Sequence, residues 1–403
     1  MIEQKRTSPG TAPIRVMLVD DSAVVRGFLS RVFEGEDDIE VVATAANGQS
    51  AVNSLSRAKP DIILLDVEMP VMTGLEAIPE ILKTQPDAKI VMCSTLTHEN
   101  AETTIKAMQL GAVDCIGKPS SARDINASSQ FRTDLLRMVR HIGGAMRDKR
   151  TNEGKGPGLT AAQRQQTTND RKHQPSRHSA AQTRQQTAKT ENGKVAATCR
   201  PASELFQGQP EIIAIGSSTG GPQALMRVMK SLGAVQMPII ITQHMPATFT
   251  KLLADHLAEA SKIPCFEAED NMPIESGKAY IAKGGHHMLI RSDKGKPCIR
   301  LDDGAPINYC KPSVDPMVNS ALEIYGRKML GVILTGMGHD GYESMKTLSE
   351  KNGRVIAQDE ASSVVWGMPG AVARAGICAE ILPLDQIGSR LASLAGAKRV
   401  ARS

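Results

Sequence analysis

The sequence predicts two α/β domains, each an open parallel sheet doubly wound by helices, joined by a long polar segment. Three observations predict this. Short aliphatic runs alternate with stretches of helical spacing on both sides of the chain's middle. Aromatic residues make up only 3% of a chain that is 41% hydrophobic, so the cores should be aliphatic, as buried parallel strands require. Between the two alternating regions, TAAQRQQTTNDRKHQPSRHSAAQTRQQTAKTENGK carries almost no large apolar residue.

In the first domain, IRVMLVD (14–20) is a short apolar run ending in acid, and SAVVRGFLSRVF (22–33) has helical spacing. IEVVATA (39–45) reads as a strand and GQSAVNSLSRA (48–58) as a helix. DIILLD (61–66), KIVMCS (89–94) and VDCIGKP (113–119) complete the strands, with helices between them. After Gln209 the alternation resumes: EIIAIG, a helix at PQALMRVMKSL, PIIITQH, and a helix at FTKLLADHLAEA. Some short strands follow, then MLGVILTG, a helix around YESMKTLSEK, and RVIAQD. The domains are set at 13–132 and 207–399, with a flexible basic linker at 145–206.

Bulk properties exclude several classes. The net charge is +5, but residues 148–200 alone carry +7, leaving the rest at −2. The basic character therefore belongs to the linker, which has too few apolar residues to offset chain entropy. It also lacks the stacking aromatics and defined motif of a nucleic-acid binder. The seven cysteines show no C-x-x-C pair and read as reduced thiols of a cytosolic protein rather than as a disulfide frame or zinc site. MIEQKRTSPGTAP has no apolar core, so it is no secretory signal. No apolar run reaches the length of a membrane span.

Charged residues gather where the strands of the first domain end, which is where open sheets bind ligands. Asp20 and Asp21 follow the first strand, Asp66 ends the third, Ser94 ends the fourth, and Lys118 follows the fifth. Clustered carboxylates need a hard cation such as Mg²⁺. A carboxylate beside that cation can accept a phosphoryl group as an acyl phosphate, and an ammonium and a hydroxyl can hold the new phosphate oxygens.

The second domain repeats the placement with different chemistry. Ser218 in GSSTGG follows its first strand, His244 in ITQHMP its second, and Asp340 in ILTGMGHDG a later one. A serine hydroxyl needs an imidazole to take its proton and an acid to fix the imidazole's tautomer. Ser217 competes with Ser218, and His339 with His244. His286 and His287 lack acidic or cysteine partners to finish a metal site. The chain order Ser, His, Asp differs from the Ser, acid, His order of α/β-hydrolases. GSSTGG has neither G-x-G-x-x-G nor a Walker lysine, which disfavours nucleotide binding. Its smallness would let a bulky substrate approach Ser218.

VDDSAVVR, LLDVEMPVMTGLE and the GKP ending resemble the receiver domain of bacterial response regulators, a flavodoxin-like doubly wound sheet, over roughly 13–132. The resemblance implies Asp66 as phospho-acceptor, Asp20 and Asp21 with Asp66 as Mg²⁺ ligands, and Ser94 (or Thr95) as the switch hydroxyl. It also implies Lys118 as phosphate contact and a backbone carbonyl near Glu68 in the metal shell. IGSSTGGP, ITQHMP, AYIAKGGHHM, KPSVDPM, GVILTGMGHDG and VVWGMPGAV together resemble the chemotaxis protein-glutamate methylesterase family, CheB, over about 209–385. That resemblance selects Ser218 over Ser217, His244 over the other histidines, and Asp340 over Asp315. It implies demethylation of glutamate methyl esters and deamidation of glutamines on methyl-accepting chemotaxis receptors, with no cofactor for the esterase reaction. It further implies the chemotaxis histidine kinase CheA as phosphoryl donor, a monomer, and a cytoplasmic location. Ser217 stands where relatives often have Ala, and Trp366 where Phe or Tyr is common. Oxyanion donors are expected in the turn around Met337 and after Ser218. An unphosphorylated receiver is expected to pack near the Ser218 edge and restrict access.

Overall fold

The computed structural model describes residues 12–94, 98–118, 129–153 and 197–396. Thr95 and most of the predicted linker lie outside them. The first domain holds five parallel strands, β1 (Ile14–Val19), β2 (Ile39–Ala45), β3 (Ile62–Asp66), β4 (Lys89–Ser94) and β5 (Asp114–Gly117), in the order β2-β1-β3-β4-β5. The order reverses between β1 and β3, so Asp20 and Asp66 flank the switch point. The predicted strands all form, within a residue or two of their predicted ends. Helices α1 (Ala23–Phe33), α2 (Gly48–Ala58), α3 (Gly74–Thr84), α4 (His98–Leu110) and α5 (Ser129–Glu153) cover the faces. Their starts are chemically marked. The Ser22 side chain accepts the Val25 N–H at α1, and Thr73 with Glu76 forms a reciprocal capping box at α3.

The predicted linker boundaries shift at both ends. Helix α5 continues to Glu153, past position 145. Residues 197–206 lie on the second domain: Arg200 N–H donates to Cys378 O at 2.8 Å, its guanidinium to Asn352 Oδ1 at 3.0 Å, and Leu205 is buried.

The second domain holds β6 (Ile212–Ser217), α6 (Gly221–Leu232), β7 (Ile239–Gln243), α7 (Ala247–Ser261), β8 (Cys265–Glu267) and β9 (Ala279–Ile281). Next come β10 (His287–Asp293), β11 (Lys296–Asp302), α8 (Val314–Tyr325), β12 (Met329–Ile333) and α9 (Tyr342–Glu350). The domain closes with β13 (Arg354–Gln358), α10 (Met368–Arg374), β14 (Glu380–Leu382) and α11 (Leu384–Leu394). Seven strands form a parallel sheet in the order β14-β13-β12-β6-β7-β9-β8. Strands β10 and β11 pair separately as an antiparallel hairpin outside that sheet. Lys294 and Gly295 there have φ of 48° and 79°, the two successive positive values of a type I′ turn. Ile, Val, Leu and Met fill both faces of the large sheet, and Phe249 and Tyr280 are the largest fully buried side chains. Each fully buried aliphatic side chain contributes about 1.5–3 kcal/mol, so these two layers outweigh every surface ion pair.

The domains share a packed boundary. Ala101, Ile105 and Met108 of α4 join the core of the second domain, and Val365 joins the core of the first. The Gln223 side chain donates to Met108 O at 2.8 Å, and Gly220 N–H to Val113 O at 3.0 Å.

Helix α5 is tied to the β2 edge by charge. Arg140 reaches Asp38 at 2.8 Å and Glu36 at 2.5 Å, and Arg132 reaches Glu36 at 2.5 Å. Arg132 first, then Arg140, hold Glu36 below its ordinary 4.5, and Arg140 holds Asp38 below 3.8. A depressed carboxyl lends stability above its unfolded pKa and loses it as pH falls through its folded value. The receiver should therefore weaken as pH falls below about 4. Arg140→Ala should cost about 0.5–1 kcal/mol at neutral pH and flatten that acid dependence, read by urea unfolding at pH 7 and pH 3.5.

Candidate active site

Ser218 and His244 directly follow the carboxyl ends of β6 and β7, and Asp340 lies in the loop that follows β12 (Met329–Ile333). Strand β6 lies between β7 and β12, and the strand order reverses there, which opens a crevice for ligands.

Asp340 is the most constrained of the three. It is 2% exposed and accepts from His244 Nε2 at 2.7 Å, Val314 N–H at 2.7 Å, Ser313 Oγ at 2.6 Å and Asn308 Nδ2 at 2.9 Å. Burial alone would raise its pKa. The His244 ring, Ser313 and the Val314 amide reverse that and hold it down at about 2. Burial pushes His244 down, and Asp340 on one side and the Cys310 sulfur on the other more than compensate, so its pKa is raised. With Nε2 engaged by an ionised carboxylate, Nδ1 is the ring nitrogen left for chemistry. Cys310 Sγ lies 3.4 Å from it. Among the described residues His244 makes no hydrogen bond to the Ser218 hydroxyl.

The rival residues have other partners. Ser217 is fully buried and donates to Gln243 Oε1 at 2.7 Å. His339 is exposed. His287 is buried, facing Ala305 O at 3.0 Å and accepting Ser313 N–H at 3.2 Å; His286 pairs with Asp303 at 2.7 Å. Asp315 accepts Ser344 N–H at the start of α9 and shares Asn308 with Asp340.

Gln243 was not legible as a site residue. Its Nε2 donates to the carbonyls of both Ser218 and His244 at 3.0 Å, so it ties the two strand-end turns together. Thr335 does the same on the other side: it accepts Ser218 N–H at 3.0 Å through its carbonyl and donates its hydroxyl to Thr219 O at 2.9 Å. These contacts also revise the explanation for the small residues of GSSTGG. A Cβ on Gly221 would lie 1.9 Å from Gln243 Oε1, and Gly220 has φ of 75° with Val364 2.6 Å from its would-be Cβ. Internal packing requires the glycines, apart from any substrate approach. The Gly220 and Ser218 amides are donated to Val113 O and Thr335 O, which removes them as oxyanion donors in this arrangement.

In the receiver, the acids and the lysine at the strand ends come together. Carboxylate oxygens of Asp20, Asp21 and Asp66 lie within 4.8 Å of one another. Lys118 Nζ sits 2.6 Å from Asp20 and 2.7 Å from Asp66. Burial raises the Asp66 pKa against the pull of Lys118, and the two carboxylates raise Lys118 against burial. Ser94 is buried at the end of β4, and Glu68 is exposed beyond β3.

A family model described as CheB methylesterase matches residues 213–391, and one for the response regulator receiver domain matches 16–130. A protein-glutamate methylesterase/protein-glutamine glutaminase of Rhodospirillum centenum is 47% identical over 98% of this chain and 97% of its own. One from Rhodopseudomonas palustris is 45% identical over 96% of each. The CheB catalytic domain of Thermotoga maritima is 39% identical over 47% of this chain and all of its own, with a TM-score of 0.45. With nearly every residue aligned to these relatives and both domains matched in order, the chain belongs to the CheB methylesterase family, its catalytic domain preceded by a response-regulator receiver.

Proposed function

We propose that the chain demethylates glutamate methyl esters and deamidates glutamines on methyl-accepting chemotaxis receptors, through Ser218, His244 and Asp340, under phosphorylation control. One observation carries the chemical part. Asp340 is held ionised on His244 Nε2, which leaves Nδ1 as the ring nitrogen that can exchange a proton. His244 takes the Ser218 proton as Oγ attacks the ester carbonyl, and returns it to the departing methoxide as methanol. Water then hydrolyses the acyl-enzyme; a glutamine substrate releases ammonia instead. The Met337 amide, with no acceptor among the described residues, is the better oxyanion donor. A second reading is favoured by the sulfur 3.4 Å from Nδ1: Cys310 as the attacking atom.

In the receiver, Asp66 would accept a phosphoryl group from a chemotaxis histidine kinase, CheA. Three clustered carboxylates against one lysine suit a hard divalent cation such as Mg²⁺ with oxygen ligands. Asp20, Asp21 and Asp66 would hold it, and it would neutralise charge during phosphoryl transfer. Ser94 and Lys118 would then bind the phosphoryl oxygens. The esterase reaction needs no cofactor on this reading. The enzyme would act as a cytoplasmic monomer, in keeping with helices too short or polar to cross a membrane among the described residues.

Methanol release from methylated receptor membranes tests the chemistry. Ser218→Ala should lower the rate by about 10³-fold or more, with Asp66 still phosphorylated by acetyl phosphate. If Ser218→Ala stays active and Cys310→Ala does not, the nucleophile is the thiol. Asp66→Asn should abolish the stimulation that acetyl phosphate gives.

The domain boundary supports control by occlusion. Val113 O takes the Gly220 amide, and Asp114 hydrogen-bonds Thr219, the residue after Ser218. Removing two such bonds should free the edge. Asp114→Ala with Gln223→Ala should raise the unphosphorylated rate by about 30-fold, at about 1 kcal/mol per bond. A rate unchanged or lower in that double variant rules the occlusion out.

A further inference from the structure

We propose that Cys310 and His244 together form a site for a soft divalent cation, zinc above all, and that a cation bound there reversibly stops the esterase. The inhibition rests on His244 being the base, as proposed above; the binding does not.

The donor atoms are already spaced for it. Tetrahedral zinc holds sulfur at about 2.3 Å and imidazole nitrogen at about 2.0 Å, which separates the two ligand atoms by about 3.5 Å. Cys310 Sγ and His244 Nδ1 are 3.4 Å apart. The far side of the ring is prepared too. Histidines that bind metals usually give their other N–H to a carboxylate, which fixes the tautomer and raises ligand basicity. Asp340 takes that N–H at 2.7 Å and is itself saturated by Ser313, Asn308 and Val314. Cys310, His244 and Asp340 offer ligand atoms within 4.8 Å of one another, with Asp340 spent on orienting the ring. Water would fill the remaining positions.

The sulfur is held there by backbone geometry. Asn308 and Tyr309 have φ of 53° and 63°, and Ile307 and Cys310 exchange backbone hydrogen bonds at 3.1 and 2.8 Å. That is a type I′ turn, closed with a tyrosine at a position most residues avoid. Asn308 pins the turn to Asp340 and Asp315. Half of the turn is open: Tyr309 is 90% exposed, while Cys310 and His244 are partly buried.

Ligand softness separates this site from the receiver's. A nitrogen and a sulfur favour zinc and its neighbours over Mg²⁺, and three carboxylates do the reverse. Binding displaces the protons on both donors: the S–H bond breaks as an S–metal bond forms, the Nδ1–H bond breaks as an N–metal bond forms, and the protons pass to solvent. The metal also occupies the Nδ1 lone pair, so the ring can no longer take a proton from a nucleophile.

The test uses the full-length chain in Mg²⁺ buffer, titrated with Co²⁺ and then Zn²⁺. Wild type should show a near-ultraviolet thiolate-to-cobalt charge-transfer band that Zn²⁺ erases. Cys310→Ala should lack that band, whatever the other six cysteines do, and Cys310→Ser serves if the alanine variant folds poorly. In parallel, Zn²⁺ should cut wild-type methanol release by at least about tenfold, reversed by a zinc-selective chelator. The Zn²⁺/no-Zn²⁺ ratio of Cys310→Ala should stay near one, since losing a ligand costs more than the 10–100-fold of losing a supporting group. No band in wild type, or the same band or inhibition in Cys310→Ala, overturns the site. A Cys310-dependent band without inhibition keeps the site and overturns both the inhibition and the role of His244 as base.

Discussion

An unpaired carboxylate taken out of water is penalised by several kcal/mol, and the penalty is offset only when each of its lone pairs is answered. Asp340 is buried and meets that condition with a ring nitrogen, an amide, a hydroxyl and a side-chain amide. Those donors come from two parts of the chain, neither of them the loop that carries Asp340. His244 follows β7, Ser313 and Val314 open α8, and Asn308 sits in the turn before them. Satisfying one charge therefore fixes three loops, and the orientation of the imidazole follows from that. Losing Ser313 or Asn308 would leave the charge partly unanswered, and its effect would reach the ring without touching it.

The same logic extends across the domain boundary. Strand β5 is only four residues long, Asp114–Gly117. At one end Lys118 bridges Asp20 and Asp66; at the other, Val113 and Asp114 hold the turn that follows Ser218. A short, rigid strand thus links the phospho-acceptor cluster to the catalytic edge. On the proposed control, drawing Lys118 toward a phosphoryl group would pull on the strand that holds Thr219 and Gly220. Burial raises the pKa of Asp114 where it lies between the domains, so the contact gives up little when water reaches it. That suits a boundary meant to open.

The parallel sheets were legible because strand burial leaves a direct imprint: IILLD and IIAIGS are apolar up to a last polar residue, and both strands are buried end to end. The acids of the receiver were legible because each follows such a run. So were the positions of Ser218, His244 and Asp340. What was not legible depends on contacts between distant segments. Gln243 looks like an ordinary strand residue until its amide is seen joining two turns. Cys310 is 66 residues from His244, and its approach depends on a tight turn whose signal, one asparagine in a polar stretch, is weak. The glycines of GSSTGG were noticed, but their cause lies in Gln243 and Val364, far along the chain.

Ser217 illustrates how one small change is absorbed. A hydroxyl on a fully buried strand end needs an acceptor, and Gln243 Oε1 provides it. That bond leaves the Gln243 amide nitrogen facing the carbonyls of Ser218 and His244, so the orientation of one amide group is set by the hydroxyl and in turn sets the spacing of the two turns. Alanine at 217 would remove the hydroxyl that fixes which way the amide points, and with it the donor to Oε1. Ser217 therefore acts as a positioning residue for the turn that carries Ser218.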